Sequence, residues 1–367
     1  MNVTRLYLLL SFFAGLFSAS GQVSSQTLNI GLLIPDEQSL APCHGAELAI
    51  EEANAGGGFS HKNFHLITKP VKGLWGTGSK RSVSLIFEDS VIAIIGSLDG
   101  RNAHLAEQVT TKTKVAFIST WATDMTLSYA FVPWFFRVIP DDRQQALALT
   151  KEIYHNEKTG KVALIGEDTY DARYAITTFL KIVKSQGLPL PRQVIIQSSA
   201  QYPDKYFLTG NIPEAEAYVL FGNPAFASSA IALLHQKHPE APVFGTISLL
   251  DDRTATGKPY KFPSPLTTVS TNQRFSEKGI TFRKKFQERF GYVPGPAAAY
   301  AYDGTKIIIE AVKKGGTDRD KIIETLQKIH YHGVTGEIHF DEKGNLSGIP
   351  DLMIVDNGSP VPLKSSR

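Results

Sequence analysis

The chain has 367 residues, a length that corresponds to two domains at about 150 residues each, and with its glycines counted about half of it is apolar, which excludes disordered and fibrous classes. Its net charge of +3 is too small and too evenly scattered to form the basic stripe that nucleic acid requires, so no nucleic-acid partner is expected. A single cysteine, Cys43, excludes an intrachain disulfide and a multi-cysteine metal site, and the fold must rest on its core.

Residues 1–21 carry one positive charge at Arg5, an apolar run from Leu6 to Phe17 and then small residues, the layout of a secretory signal peptide. As a helix that run reaches about 18 Å against roughly 30 Å of hydrocarbon. Cleavage near Ser20 to Gln22 is expected, with no stable membrane insertion afterwards; an uncut anchor helix is the competing reading. No cysteine lies there to accept a lipid, and the mature chain is expected outside the cytoplasm.

From Leu28 onward, short apolar runs alternate with segments of helical period, the pattern of βαβ units and a parallel sheet. LNIGLLIP (28–35) predicts a strand, and Ala46, Ala49, Ile50 and Ala53 share one face of a helix from about Cys43 to Ala55, stopped by Gly56-Gly57-Gly58. HLIT, VIAIIG (91–96) and VAFIS (115–119) predict further strands, with helices near 79–89 and 101–112. VIAIIG is apolar throughout, as strands buried on both faces are. After FRVIPDD (136–142) the grammar repeats: helix 142–157, VALIG (162–166), helix 171–186, QVIIQS (193–198), AYVLF (217–221), helix 225–237 and PVFGT (242–246). Beyond the Pro-rich loop 258–266 come the strand LTTVS, helices at 276–290, 297–314 and 318–329, and an expected hairpin of VTGEIHF and DLMIV (351–355) around the turn DEKGN.

Motifs for chemistry are weak. GLWGTGSK (73–80) lies between a strand and a helix, but Ser79 precedes Lys80, the reverse of the P-loop order. GSLDG (96–100) places its serine one position too early for a nucleophile elbow. His330 with His332, and His235 with His238, lack a third ligand and read as surface residues. Cys43, at a helix start, could be an activated thiol but has no assigned base. No cofactor, metal or catalytic residue is called for. Two α/β units whose strand ends face each other suggest a clamp, since open sheets bind ligands beyond their carboxyl ends and clefts between domains are favoured pockets.

HGAELAIEEANAGGG (44–58), AIIGS (93–97), FISTWATD (117–124), FFRVIPDDRQQALAL (135–149), AAAYAYDGTKIIIEAVKKGG (297–316) and GVTGEIHFDEKGNLSG (333–348) stand in an order that resembles extracellular solute-binding proteins of the leucine-binding, type I periplasmic kind, which serve ABC importers of branched-chain amino acids. The resemblance spans nearly the whole mature chain. It implies an α/β fold of two Rossmann-like doubly wound lobes joined by a three-crossover hinge, with one lobe at 27–140 plus 270–332 and the other at 141–269 plus 333–363, hinged near Pro140, Ser270 and Gly333. It also implies a periplasmic location, a small polar solute such as an amino acid or a related carboxylate or amide, and an ABC-type permease as partner. A secreted sensor feeding a signalling receptor is the alternative, and a hydrolase on the same frame is a third.

The resemblance also implies ligand contacts. Trp121, Ala122 and Thr123 match the stretch whose backbone and Thr hydroxyl hold the ligand, and Tyr170 matches the tyrosine that closes from the second lobe, with Asp171 in place of the glycine that follows it. Gly100 stands where the family has a carboxylate-binding serine, followed by Arg101 and Asn102; Asn223 joins the set, and Asp251 or Asp252 would take an ammonium. Arg101 is expected to replace the serine by holding an anionic group of the ligand, since an arginine is otherwise unfavourable at a helix N-terminus.

Overall fold

A computed structural model describes residues 27–197, 212–254 and 261–363; the expected signal peptide lies outside the described residues. In the first sheet, β1 (Leu28–Ile34), β2 (Phe64–Pro70), β3 (Ala93–Gly96), β4 (Ala116–Ser119) and β5 (Phe135–Arg137) are linked by α1 (Leu40–Ala55), α2 (Thr77–Phe87) and α3 (Gly100–Thr113). All its strand pairs are parallel, in the order β2-β1-β3-β4-β5. Every residue of β3 and β4 is buried because helices cover both faces, which is why the sequence shows uninterrupted apolar runs there. Helix α1 starts at Leu40 rather than at Cys43, since Pro42 falls in its first turn, where the missing N–H costs no hydrogen bond.

The second sheet repeats the plan. Helix α4 (Asp142–Thr150) leads to β6 (Val162–Glu167), α5 (Tyr170–Ser185), β7 (Arg192–Ile196), β8 (Ala217–Phe221), α6 (Pro224–Lys237), β9 (Val243–Gly245) and β10 (Leu266–Val269). The order β7-β6-β8-β9-β10 matches that of the first sheet strand for strand, a doubly wound layout with its switch point between β6 and β8. The helix expected over 142–157 stays α-helical only to Thr150 and then widens into a π-helical turn over Lys151–Asn156.

Helices α7 (Glu277–Phe290), α8 (Pro296–Gly315) and α9 (Arg319–Gln327) follow, then the small hairpin of β11 (Tyr331–His332) and β12 (Glu337–Ile338). Helix α8 packs on α1 and β3, so the chain has returned to the first sheet. Asn345 then bridges Arg137 at the open edge of β5, which places the last passage between the sheets at 346–351, later than Gly333. There Gln144 donates to the carbonyls of Leu346 at 2.5 Å and Gly348 at 2.6 Å.

The expected hairpin of VTGEIHF with DLMIV does not form. β12 pairs with β11, whereas β13 (Leu352–Asp356) runs antiparallel to β10 and turns back through Asn357-Gly358 into β14 (Ser359–Pro362). Both turn residues have positive φ, 46° and 77°, the requirement of the tight turn that Asn-Gly favours. Glycine is also needed at Gly45, where α1 approaches the backbone of α8 at Ala298. In the loop GLWGTGSK, Lys80 is exposed, the Ser79 hydroxyl donates to the Leu105 carbonyl at 3.0 Å, and Leu74 and Trp75 stand 88% and 84% exposed.

Candidate functional site

The carboxyl ends of the strands in the two sheets face a cleft of about 130 Å³. Trp121 and Thr123, after β4, form one wall. Asp142 and Gln145 of α4, Glu167 at the end of β6, Thr169 and Asp171 after it, Asn223 after β8, and Thr246, Ser248, Asp251 and Arg253 after β9 form the other.

The wall after β4 is fixed from beneath by a buried cation. Arg137, fully buried, donates from Nη1 to the carbonyls of Asp124 at 2.9 Å and Ala122 at 3.4 Å. Burial lowers the guanidinium's pKa, while Asp141, Asp142 and Asp124 around it act in the opposite direction. The Thr123 carbonyl accepts from the Asp142 N–H at 2.9 Å, tying this wall to the start of α4. Helix α4 is set by a capping box in which Asp141 accepts from Gln144 N and the Gln144 side chain accepts from Asp141 N, each at 2.8 Å. Gln145 then accepts from Ile247 N at 3.0 Å, which positions the loop after β9.

Several contacts join the two walls. Gly100 N donates to Asp171 Oδ1 at 3.0 Å, and the Tyr170 hydroxyl donates to Asp124 Oδ2 at 3.3 Å. Arg253 forks onto Asp251, with Nη2 at 2.7 Å and Nε at 3.0 and 3.1 Å, while Nη1 reaches the Ser97 carbonyl at 3.3 Å and the guanidinium lies 5.3 Å from the Trp121 ring centre. Behind Asp124, His104 bonds the same carboxylate at 3.1 Å and lies 3.6 Å from Glu107. Hydrogen bonds to Asp124 and Glu107 push the imidazole up to about 9. Burial pushes the Asp124 carboxyl up, but the His104 and Thr126 hydrogen bonds outweigh it and hold it below the usual range.

Of the residues expected at the site, Trp121, Thr123, Asn223 and Asp251 line the cleft. Gly100 and Tyr170 are not among its lining residues and instead make contacts between the walls. Ala122 is buried behind Trp121 and Thr123, with its carbonyl turned to Arg137. Asn102 faces away, its amide donating to Asp99 at 2.7 Å. The expected anion-binding role of Arg101 is not met by its position: it is exposed, lies 5.2 Å from the Tyr170 ring centre and lines an outer surface depression with Trp75 and Asp99. The cation in the cleft is Arg253. Asp252 is also outside, accepting from Ala297 N at 2.8 Å and capping α8 in place of Gly295, which has no side chain to do so.

Asp142, Glu167, Asp171 and Arg253 are cleft residues that sequence reasoning did not assign as contacts. Two left a trace: Asp142 is a second acid beside the capping residue, and Asp171 replaces an expected glycine. Cys43 is no activated thiol, because burial pushes it up to about 12 and it donates to the Ser39 carbonyl. Among the described residues no three metal-ligating side chains converge.

The family model described as "Periplasmic binding protein" matches residues 27–356. Similar solved structures include the branched-chain amino acid transporter substrate-binding protein LivJ of Streptococcus pneumoniae in complex with isoleucine, at 20% identity and a TM-score of 0.76, covering 91% of this chain and 98% of that one. The leucine-binding protein LivK of Thermotoga maritima is 17% identical with a TM-score of 0.75, covering 92% and 98%. A solute-binding protein of an ABC transporter from Rhodopseudomonas palustris, in complex with 3,4-dihydroxybenzoic acid, is 18% identical with a TM-score of 0.75, covering 92% and 96%. A search of curated proteins finds no match. With the family pattern running over most of its length and the same two-lobed α/β fold in the structures it resembles, this chain belongs to the periplasmic binding protein family.

Proposed function

We propose that this protein is exported, captures a small polar solute between two closing lobes and delivers it to an ABC importer. The observation that carries the reading is a cleft at the carboxyl ends of both sheets, lined from both walls by side chains such as Thr123, Asn223 and Asp251 and flanked by hydrogen bonds that cross from one wall to the other. Such bonds exist only when the walls are together, so a ligand that touches both favours the closed state by its differential affinity. Trp121 and Thr123 from one lobe and Asn223 and Asp251 from the other are the contacts we assign, with Gly100 and Tyr170 serving closure. Because Asn345 is paired to β5, the lobes are assigned as 27–140 with 270–345 and 141–269 with 352–363, hinged at Pro140, Ser270 and the 346–351 segment.

The similar structures hold an aliphatic amino acid in one case and an aromatic acid in another, so the family's ligands are chemically diverse. A thermal-shift screen of the mature chain over amino acids, small carboxylates, amides and amines tests the reading. A true ligand at 100 times its dissociation constant stabilises by about 2.7 kcal/mol. That raises the midpoint by several degrees. Turnover of a stabilising solute would contradict a purely binding role.

A further inference from the structure

The cleft offers a carboxylate little purchase. Gly100 is the first residue of α3, a helix N-terminus where backbone N–H groups favour an anion. Its N–H is taken by a carboxylate of the protein itself, Asp171, which reaches it from the opposite wall. A side chain at position 100 would meet Asp171 Oδ1 at 2.9 Å and the Tyr170 ring at 3.1 Å, so the space beside that N–H is filled. Arg253, the one cation in the described lining, already holds Asp251 in a bidentate pair. The same lining carries four acids: Asp142, Glu167, Asp171 and Asp251.

Asp142 is the most informative of them. It is 3% exposed and lines the cleft, yet neither carboxyl oxygen reaches a hydrogen-bond partner, although the Thr123 hydroxyl is near enough to favour its charged form. A buried carboxyl without a partner costs free energy that a donor entering the cleft would recover.

We propose that the solute is an organic cation, bearing an ammonium or amidinium group and needing no carboxylate, and that Asp142 is its counter-ion. This rests on the clamp reading above and names the chemistry of its ligand. Burial holds the Asp142 carboxyl well above the usual range, reinforced by the neighbouring acids Asp141, Asp171 and Asp124; Thr123 and the buried Arg137 beneath act the other way. Asp171 is pushed up to about 6 by burial and by Asp99, against Gly100 N and Arg253. Asp142 is thereby shifted toward its neutral form, and a cation that pairs with it drives a proton off. Affinity should strengthen as pH rises through about 6.

Calorimetry on the mature chain with matched probes tests this: benzamidine against benzoate, butylamine against butyrate, and isoleucine as the zwitterion. The expected result is that at least one cationic probe binds ten times or more tightly than its carboxylate counterpart. Its apparent heat should differ between buffers of different ionisation enthalpy, which reads the released proton. Asp142→Asn should weaken that probe at least tenfold while the unliganded protein melts no lower than the parent, and the buffer comparison on the parent decides the matter should the variant not fold. Carboxylates binding more tightly than their cationic counterparts, the absence of binding by both cationic probes, or parental affinity in Asp142→Asn would each overturn the proposal. If benzoate or isoleucine binds and compacts the protein while the amines do not bind, the clamp stands and only the cation assignment falls; if a bound probe leaves the shape unchanged, the clamp itself falls.

Discussion

Replacing Gly45 with valine should leave no folded protein, and Gly45→Ala should cost more than about 3 kcal/mol, at or beyond the upper end of overpacking penalties. Gly45 lies where α1 crosses α8, and a side chain there would come 2.8 Å from the carbonyl carbon of Ala298 and 3.0 Å from its Cα. These are backbone atoms, so no rotamer change relieves the clash. The helices would have to separate, breaking the cluster of Ala41, Leu48 and Ala49 with Ala298, Ala299 and Tyr302. Gly78 supplies the contrast: it lies in α2 with its nearest neighbour 3.4 Å from an added Cβ, and alanine there should be neutral or gain up to about 1 kcal/mol of helix propensity. Denaturant titration of the two alanine variants measures the difference. An unchanged midpoint for Gly45→Ala would show that α1 and α8 do not meet backbone to backbone.

Asp303→Ala should lose about 3 kcal/mol. This carboxyl, fully buried in α8, accepts from Val334 N at 3.0 Å, Thr335 N at 2.8 Å and the Thr335 hydroxyl at 2.6 Å, and so anchors the segment that leads toward the last passage between lobes. Truncation orphans two interior backbone N–H groups, each worth roughly 1–3 kcal/mol. Asp303→Asn keeps one acceptor oxygen and should lose less. Burial pushes the carboxyl up to about 6, above the unfolded value, so the folded state binds the extra proton. Its share of stability falls as pH rises from about 4 through 6. The asparagine variant should lack that slope, and equal slopes for variant and parent would refute the assignment.

Much of the fold was legible because its signals are local. Strands such as AIIG (93–96) are apolar at every position since both faces are covered, and the Ala46, Ala49, Ile50 and Ala53 stripe marks the buried face of α1. The failed hairpin shows the limit. VTGEIHF and DLMIV flank a turn, but β13 pairs instead with β10, and the Asn357-Gly358 turn that does close a hairpin lies beyond it. Strand partners depend on which sheet edge is open, which local pattern does not encode.

The site divides in the same way. Trp121 and Thr123 belong to a contiguous stretch that resembles the family, and they line the cleft. The sequence points to Arg101 because Gly100 replaces an expected serine beside it at a helix start, yet the chemistry of a guanidinium depends on where it points, and this one lies outside against Tyr170. Arg253 has no signal in the sequence, and Asp142 only that of a second acid beside Asp141. The first matters because it pairs with Asp251 over Trp121, and the second because burial leaves it without a partner; both are properties of the folded chain.

The central claim is that the two lobes close over a solute held in this cleft. Small-angle scattering of the mature chain, alone and saturated with the probe that calorimetry shows to bind most tightly, tests it most directly. A clamp predicts a smaller radius of gyration with the probe bound, reversed on its removal. A scattering profile that stays the same at saturation would contradict it.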